Sequence, residues 1–299
     1  MDSEKTILHA KNLHKSYGNV NAIQGIDFAI DQSGVVAILG QNGAGKTTLI
    51  QCALGLEKTT SGELKTLGHL PGNLSAKQQI GVILQDADLP DLLTAREQII
   101  LFASYYPNPF SVEEVIELCN LRDFVDKRYK KLSGGQKRRV QFALAVIGDP
   151  KLIFLDEPTT GLDIEARRNL WQVIRGFAAK GKTIVLTTHY LEEADALADR
   201  IIVMNSGKIV ADATPEDIHN QVRGSAVRCQ TQLTEAQLRA LTGVESVKIA
   251  GRFSELRCSD VNAALTALLA SDPVITDLTV TQPKLEDIFT QLSQTGEAS

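Results

Sequence analysis

Five apolar residues, Val35-Val36-Ala37-Ile38-Leu39, run directly into Gly40-Gln41-Asn42-Gly43-Ala44-Gly45-Lys46-Thr47-Thr48. A short apolar run that ends in G-x-x-x-x-G-K-T reads as a buried strand, a tight turn and a helix start, which is the context of a phosphate-binding loop. The spacing has a physical basis. Glycines at 40, 43 and 45 let the backbone fold back. Successive N–H groups along Gly40, Gln41, Asn42, Gly43, Ala44 and Gly45 then point inward at a polyphosphate, at a helix N-terminus whose dipole favours an anion. Lys46 adds a point charge for the β and γ phosphates, the Thr47 hydroxyl is placed to ligate Mg²⁺, and Thr48 can donate to an α-phosphate oxygen. A nucleotide is the first ligand this pattern implies.

A second segment narrows the class. Leu132-Ser133-Gly134-Gly135-Gln136 precedes Lys-Arg-Arg-Val and an apolar helical run to Ile147, and residues 149–158 read DPKLIFLDEP. At these residues the chain resembles the ATP-binding cassette family, whose signature is LSGGQ, and the resemblance covers residues 6–220. It implies an ATPase that uses ATP and Mg²⁺. Asp156 ends an apolar strand, so its carboxylate emerges beside the phosphate loop, where it can hold Mg²⁺ directly or through water. By resemblance, Glu157 orients and activates the attacking water. His189 follows the apolar strand 183–187, at the carboxyl end where open parallel sheets bind ligands, and resembles the switch histidine that contacts the γ-phosphate. Gln85 ends the apolar strand 80–84 and looks like the glutamine that reaches Mg²⁺ and the lytic water. It opens the segment 86–96, which in the family faces a membrane subunit. Tyr17, in K-S-Y-G, would stack on adenine, with modest preference between bases. The catalytic set is therefore Lys46, Gln85, Glu157 and His189, and the metal set Thr47, Gln85 and Asp156.

The same resemblance implies an assembly. In the family the signature completes the nucleotide site of a second cassette, which assigns Ser133, Gly134, Gly135 and Gln136 to a partner copy's ATP and sets Asp163 at that interface. A γ-phosphate shared by two halves gives ATP, but not ADP, a differential affinity for the closed pair. One chain carrying both halves of the site is expected to form a symmetric homodimer.

Strand-like alternation at 7–13 and 23–30, around the YGNV turn, predicts a small antiparallel sheet ahead of the phosphate-loop strand. Helical spacing follows at 47–56, a short strand at 62–67, and helices at 94–106 and 112–119 separated by the Pro-Asn-Pro break at 107–109. Apolar strands at 80–84, 151–155, 183–187 and 200–204 alternate with helices at 166–180 and 191–198, the pattern of a mostly parallel, doubly covered sheet. After a helix start near Pro215 the chain turns Thr-, Gln- and Ser-rich. Its elements there read strand 227–231, helix 234–241, strands 244–250 and 255–258, helix 260–269 and strand 274–281, the β-α-β-β-α-β order of a ferredoxin-like unit. A closing helix at 285–292 is also expected.

The expected fold is therefore α/β: a P-loop NTPase-type, mostly parallel sheet with an antiparallel β subdomain and a helical subdomain (about 86–148), followed by a small C-terminal α+β domain. The domain limits read 1–221 and 222–299.

Composition excludes some function classes. No window approaches the roughly eighteen uninterrupted apolar residues of a membrane span, and MDSEKTILHAKNL lacks the features of a secretory signal. A net charge of −5 without a long basic run argues against nucleic acid as a partner. Cys52, Cys119, Cys229 and Cys258 lack C-x-x-C spacing and read as apolar fillers in a reducing compartment. The expected setting is cytoplasmic, peripheral on the inner face of the cell membrane, with a separately encoded integral-membrane permease as partner. The tail PKLEDIF at 283–289 resembles that of multidrug and antibiotic exporter ATPases and favours export. The alternatives are a soluble cassette ATPase acting on ribosomes or DNA, whose usual tandem cassettes, coiled coils or zinc modules are not seen here, and a phosphate-loop kinase, in whose mechanism LSGGQ has no role.

Overall fold

In a computed structural model of the protein, residues 6–85, 89–221 and 225–281 are described. They fall into two compact units that divide between Pro215 and Glu216.

The first unit is built on a six-stranded sheet of order β5-β6-β7-β3-β8-β9. Its members are β3 (Gly34–Leu39), β5 (Ile80–Ile83), β6 (Leu152–Asp156), β7 (Thr183–Thr188), β8 (Arg200–Asn205) and β9 (Lys208–Ala213). All pair in parallel except β9, which returns antiparallel to β8. Every residue of β6 and β7, and Val35 to Leu39 of β3, is buried. A strand covered on both faces has no use for polar alternation, and so these segments are continuous apolar runs. The sheet carries α1 (Lys46–Leu54), α6 (Ile164–Ala179) and α7 (Leu191–Leu197). In α6 the buried residues Leu170, Val173, Ile174 and Phe177 recur at helical spacing.

A separate three-stranded antiparallel sheet has the order β2-β1-β4, from β1 (Leu8–Tyr17), β2 (Val20–Ile30) and β4 (Ser61–Thr66). The β1–β2 hairpin is longer than its apolar pattern predicts. Tyr17 pairs with Val20 across Gly18 and Asn19, which puts Tyr17 at the hairpin's tip. Between β5 and β6 lie α3 (Ala95–Ala103), α4 (Val112–Leu118) and the signature helix α5 (Gly134–Val146). Thr94 and Glu97 form a capping box at the start of α3, and Ser111 caps α4.

Three short elements escape the sequence reading: β9, the four-residue helix α2 (Leu74–Lys77) and a 3-10 turn at Tyr129–Lys131. The signal for β9 is present in the chain. Ser206 and Gly207 form a two-residue turn, both with positive φ, between Asn205 and Lys208. That is the geometry of a tight hairpin.

The second unit begins within α8 (Pro215–Gln221) and continues as β10 (Ser225–Gln230), α9 (Glu235–Arg239), β11 (Val244–Ala250), β12 (Phe253–Cys258), α10 (Val261–Ser271) and β13 (Thr276–Thr281). Its antiparallel sheet has the order β11-β12-β10-β13. Strand order and β-α-β-β-α-β sequence agree with a ferredoxin-like unit. Leu238, Ala264 and Leu268 of the helices close over Val227, Val247 and Leu256, with Cys229 and Cys258 as buried apolar members of the same core. The helix expected at 285–292 lies outside the described residues.

Candidate functional site: a phosphate loop and the strand ends beside it

The phosphate loop turns out of β3 at Gly40 and enters α1 at Lys46. Gly45 occupies the N-cap with φ of 101°, and a Cβ there would lie 2.4 Å from the Ala22 carbonyl oxygen. Both the left-handed backbone and the close approach demand glycine. No side chain caps α1, so its first-turn N–H groups are left for an anion. At the other end Gly55 stops the helix in a left-handed C-cap, before the predicted limit at 56.

Lys46 is folded back onto its own loop, donating to the carbonyls of Gly40 (2.8 Å) and Gln41 (3.1 Å). Its Nζ also lies 3.7 Å from Glu157 Oε1. Burial pulls the Lys46 pKa down, while Glu157 and Asp156 pull it up.

Asp156 is the last residue of β6 and is fully buried. Its Oδ1 accepts from Thr47 Oγ1 (3.2 Å) and from Thr187 Oγ1. Its Oδ2 is buried without a hydrogen-bond partner among the described residues. An ionised oxygen in that state is costly, and a cation or an ordered water is what relieves it. Glu157 follows with φ of 46°, a left-handed conformation that costs a non-glycine residue about 1–2 kcal/mol. That turn aims the carboxylate back across the strand ends. Oε1 meets His189 Nδ1 at 3.3 Å, and Oε2 accepts from Thr160 Oγ1 at 3.2 Å. The Glu157 N–H donates to Thr187, to its carbonyl and to its Oγ1.

The phosphate loop and strand ends line one open cavity of about 410 Å³, with Tyr17, Asn42, Gly43, Gly45, Lys46, Thr47, Thr48, Gln85 and Glu157 on its wall. Tyr17 stands at the mouth, 43 % exposed. Lys15, which the sequence reading passed over, sits 4.4 Å from the Tyr17 ring centroid while donating to Glu57 and to the Lys58 carbonyl, both at 2.8 Å. The residues expected at the chain's own nucleotide are therefore brought together.

Among those assigned to a partner's nucleotide, Ser133, Gln136 and Asp163 make hydrogen bonds within this chain. Ser133 and Gln136 form a capping box on α5: Gln136 N–H donates to Ser133 Oγ, and the Gln136 amide oxygen accepts from Ser133 N–H. Gln136 is thus turned back on its own helix, and the signature string doubles as an S-x-x-Q helix start. A Cβ on Gly135 would meet the Ala166 Cβ at 2.5 Å, so the fold requires glycine there, whereas one on Gly134 would find its nearest neighbour at 3.9 Å. Asp163 accepts from the Ala166 N–H at 2.8 Å and caps α6.

Arg138, on α5, was also missed. Its guanidinium reaches from the signature helix to the carbonyls of Asp156 (3.1 Å), Glu157 (2.8 Å) and Pro158 (2.7 Å). Nothing local in the sequence marks it, because each of these partners lies far along the chain.

A lysine-bearing loop on a helix start, an acidic pair at the next strand end but one and a histidine just past the strand between them define a phosphate-loop ATPase. Comparison with known proteins gives the family. A model of the ABC transporter family matches residues 23–160. The Nod factor export ATP-binding protein I of Rhizobium etli is 33 % identical, with 96 % of this chain and 93 % of the relative covered. The daunorubicin resistance ATP-binding protein DrrA3 of Streptomyces coeruleorubidus is also 33 % identical, with 96 % of each covered. Among solved structures, cbiO1 of Clostridium perfringens, part of the transporter complex cbiONQ, aligns with a TM-score of 0.66 at 27 % identity, over 73 % of this chain and 92 % of that one. The cassette MJ0796, in a dimeric post-hydrolysis state bound to ADP and Pi, aligns at 0.62 and 27 %, over 70 % and 98 %. The chain belongs to the ABC transporter family, as an ATP-binding and ATP-hydrolysing member.

Proposed function

We propose that two copies of this chain close on ATP beneath a separately encoded membrane permease and reopen on hydrolysis, driving export of the permease's substrate. One convergence carries this reading: Lys46, Thr47 and Glu157 line one cavity, with Asp156 bonded to Thr47 and His189 set against Glu157.

In that reading Lys46 exchanges the Gly40 and Gln41 carbonyls for the β and γ phosphates, and Tyr17 stacks on the base. Thr47, Gln85 and Asp156 would hold Mg²⁺, and the orphaned Asp156 Oδ2 fits a cation nearby. The described residues offer no cluster of three His, Cys, Asp or Glu side chains, which suits an ion that relies on substrate phosphates and water. When bound, Mg²⁺ neutralises charge on the phosphate oxygens. Glu157 accepts the proton of the attacking water, and His189 orients Glu157 and reaches the γ-phosphate. Ser133 and the Gly135 backbone serve the ATP of the second copy.

No helix among the described residues is long and apolar enough to cross a membrane. The permease reading draws on a different surface. Leu92, Ile100, Leu101 and Tyr105 are exposed, and Leu89, Phe102 and Tyr106 from the same segment line a mostly apolar cavity of about 350 Å³ with residues of β5 and α5. Such a surface fits an apolar helix end of a membrane partner. We place the chain on the cytoplasmic face of the membrane, with the ATPase domain at 1–221 and the α+β unit after it as an accessory domain. Relatives named for Nod factor export and daunorubicin resistance make Nod factor and daunorubicin the first cargoes to test.

The test is affinity purification of Glu157→Gln protein from detergent-solubilised host membranes with ATP. A stoichiometric multi-span membrane protein in the eluate is expected. Recovery with ribosomes or nucleic acid, or with no partner, would reverse the reading.

A further inference from the structure

Arg138 uses its whole guanidinium. Nε donates to the Pro158 carbonyl (2.7 Å), Nη2 to those of Asp156 (3.1 Å) and Glu157 (2.8 Å), and Nη1 to the Gln141 side-chain oxygen (2.9 Å) with a long contact to the Leu84 carbonyl (3.4 Å). Five N–H groups are all that a guanidinium has, and five acceptors surround it. Four are backbone carbonyls on two strand ends: the residue before Gln85, and the three consecutive residues Asp-Glu-Pro. The fifth belongs to α5 itself.

Arg138 lies one and a half helical turns after the Ser133 cap, so the fork fastens the signature helix to the Asp-Glu-Pro turn. Glu157 needs such fastening. Its φ of 46° is a conformation that an L-residue leaves unless its surroundings hold it. Its carboxylate faces Lys46, His189 and Thr160, while Arg138 grips the Glu157 carbonyl. Arg138 and Glu157 also share the wall of a second cavity of about 390 Å³ with Gln85, Gly134 and Thr160. The strand end with Gln85, the strand end with Glu157 and the helix with the signature thus meet at one side chain.

We propose that Arg138 is a positioning residue for ATP hydrolysis: its guanidinium holds the Glu157 backbone in the left-handed turn and locks that turn to the signature helix. The proposal rests on the reading of Glu157 as the residue that activates water. A residue with this task sets the turnover rate and leaves nucleotide binding alone, because the phosphate loop and Tyr17 receive nothing from it. A lysine brings three donors without the planar fork and restores part of the arrangement. A methionine keeps the stem and brings none.

The experiment compares full-length Arg138→Met, Arg138→Lys and Glu157→Gln with the unaltered chain. Steady-state ATP hydrolysis gives kcat and KM, a fluorescent ADP analogue gives affinity, and sedimentation with ATP gives dimerisation of Arg138→Met in the Glu157→Gln background. The expected result is a kcat at least tenfold lower in Arg138→Met and intermediate in Arg138→Lys. KM and ADP affinity stay within twofold, and ATP-driven association is unchanged from that of Glu157→Gln alone. A kcat within twofold of the unaltered chain in both variants would overturn the proposal. So would a fall in kcat matched by an equal loss of ADP affinity, which marks general damage to the unit. If Arg138→Met does not fold, Arg138→Lys decides by the same split. Full activity in Glu157→Gln removes the underlying reading of Glu157, whereas an inactive Glu157→Gln beside a fully active Arg138→Met removes only the role of Arg138.

Discussion

Gly135 offers a way to separate what the signature does for the fold from what it does for ATP. A Cβ added there would stand 2.5 Å from the Ala166 Cβ and 3.7 Å from its Cα. Carbon atoms in contact prefer about 3.5–4.0 Å, so the first turns of α5 and α6 must part by roughly 1 Å. Overpacking of this kind costs about 1–3 kcal/mol. In a unit of this size each kcal/mol moves the melting midpoint by about 2–4 °C, so Gly135→Ala should melt roughly 2–12 °C lower. Ala166→Gly removes the opposing methyl. The double variant should therefore recover most of that loss, since the ~1 kcal/mol that glycine costs at 166 in α6 is offset by a similar gain from alanine at 135 in α5. Melting curves for the four proteins give the coupling energy directly. A Gly135→Ala protein that melts with the unaltered chain, or a double variant with no recovery, would refute the packing argument. ATP hydrolysis adds the second answer. Activity that stays low in a double variant of restored stability assigns Gly135 a further task at a nucleotide.

Tyr17→Ala should raise KM for ATP by about 5–150-fold, the equivalent of 1–3 kcal/mol of base stacking, with kcat little changed and Tyr17→Phe close to the unaltered chain; steady-state kinetics decide it, and an unchanged KM would remove Tyr17 from the base site. Burial pushes the Cys52 thiol up to about 11 from 9.0. Because the folded state holds the proton more tightly, its contribution to stability is complete below pH 9 and fades as pH rises toward 11. Denaturant titrations between pH 8 and 11 should show a shallower alkaline loss in Cys52→Ala, and native Cys52 should resist alkylation at pH 8. An equal slope in both proteins would argue against this. Thr47→Val removes the hydroxyl that donates to Asp156 and should lower Mg²⁺-dependent hydrolysis at least tenfold without lowering the melting midpoint by more than a few degrees; hydrolysis near that of the unaltered chain would exclude Thr47 from the metal set.

Much of this molecule could be read before it was seen, for identifiable reasons. β3, β6 and β7 are buried on both faces, so their sequences are plain apolar runs, and the polar residues that end them are the ones left at the ligand-binding edge. The ferredoxin-like order of the second unit was legible because its short strands and helices alternate between distinct periodicities. Strand lengths were less so: β1 and β2 extend to the YGNV turn through His14, Lys15, Ser16, Val20 and Asn21, where the buried position is a lysine and not an apolar residue. β9, KIVADA, was overlooked because it follows β8 through a two-residue Ser-Gly turn and is only half-buried. The side-chain roles of Gln136 and Arg138 could not be read, since motif matching assigns a residue to a ligand and is silent on intrachain partners. Gln136 spends its amide on a helix cap, and Arg138 reaches carbonyls that only tertiary folding brings near.

The central claim is that the γ-phosphate joins two copies of this chain and that Glu157 is needed to release them. Sedimentation velocity of Glu157→Gln protein with Mg²⁺ and saturating ATP, beside the same protein with ADP, tests it most directly. The account predicts a dimer with ATP and a monomer with ADP. A protein that stays monomeric with both nucleotides, alone and with its membrane partner, would contradict it.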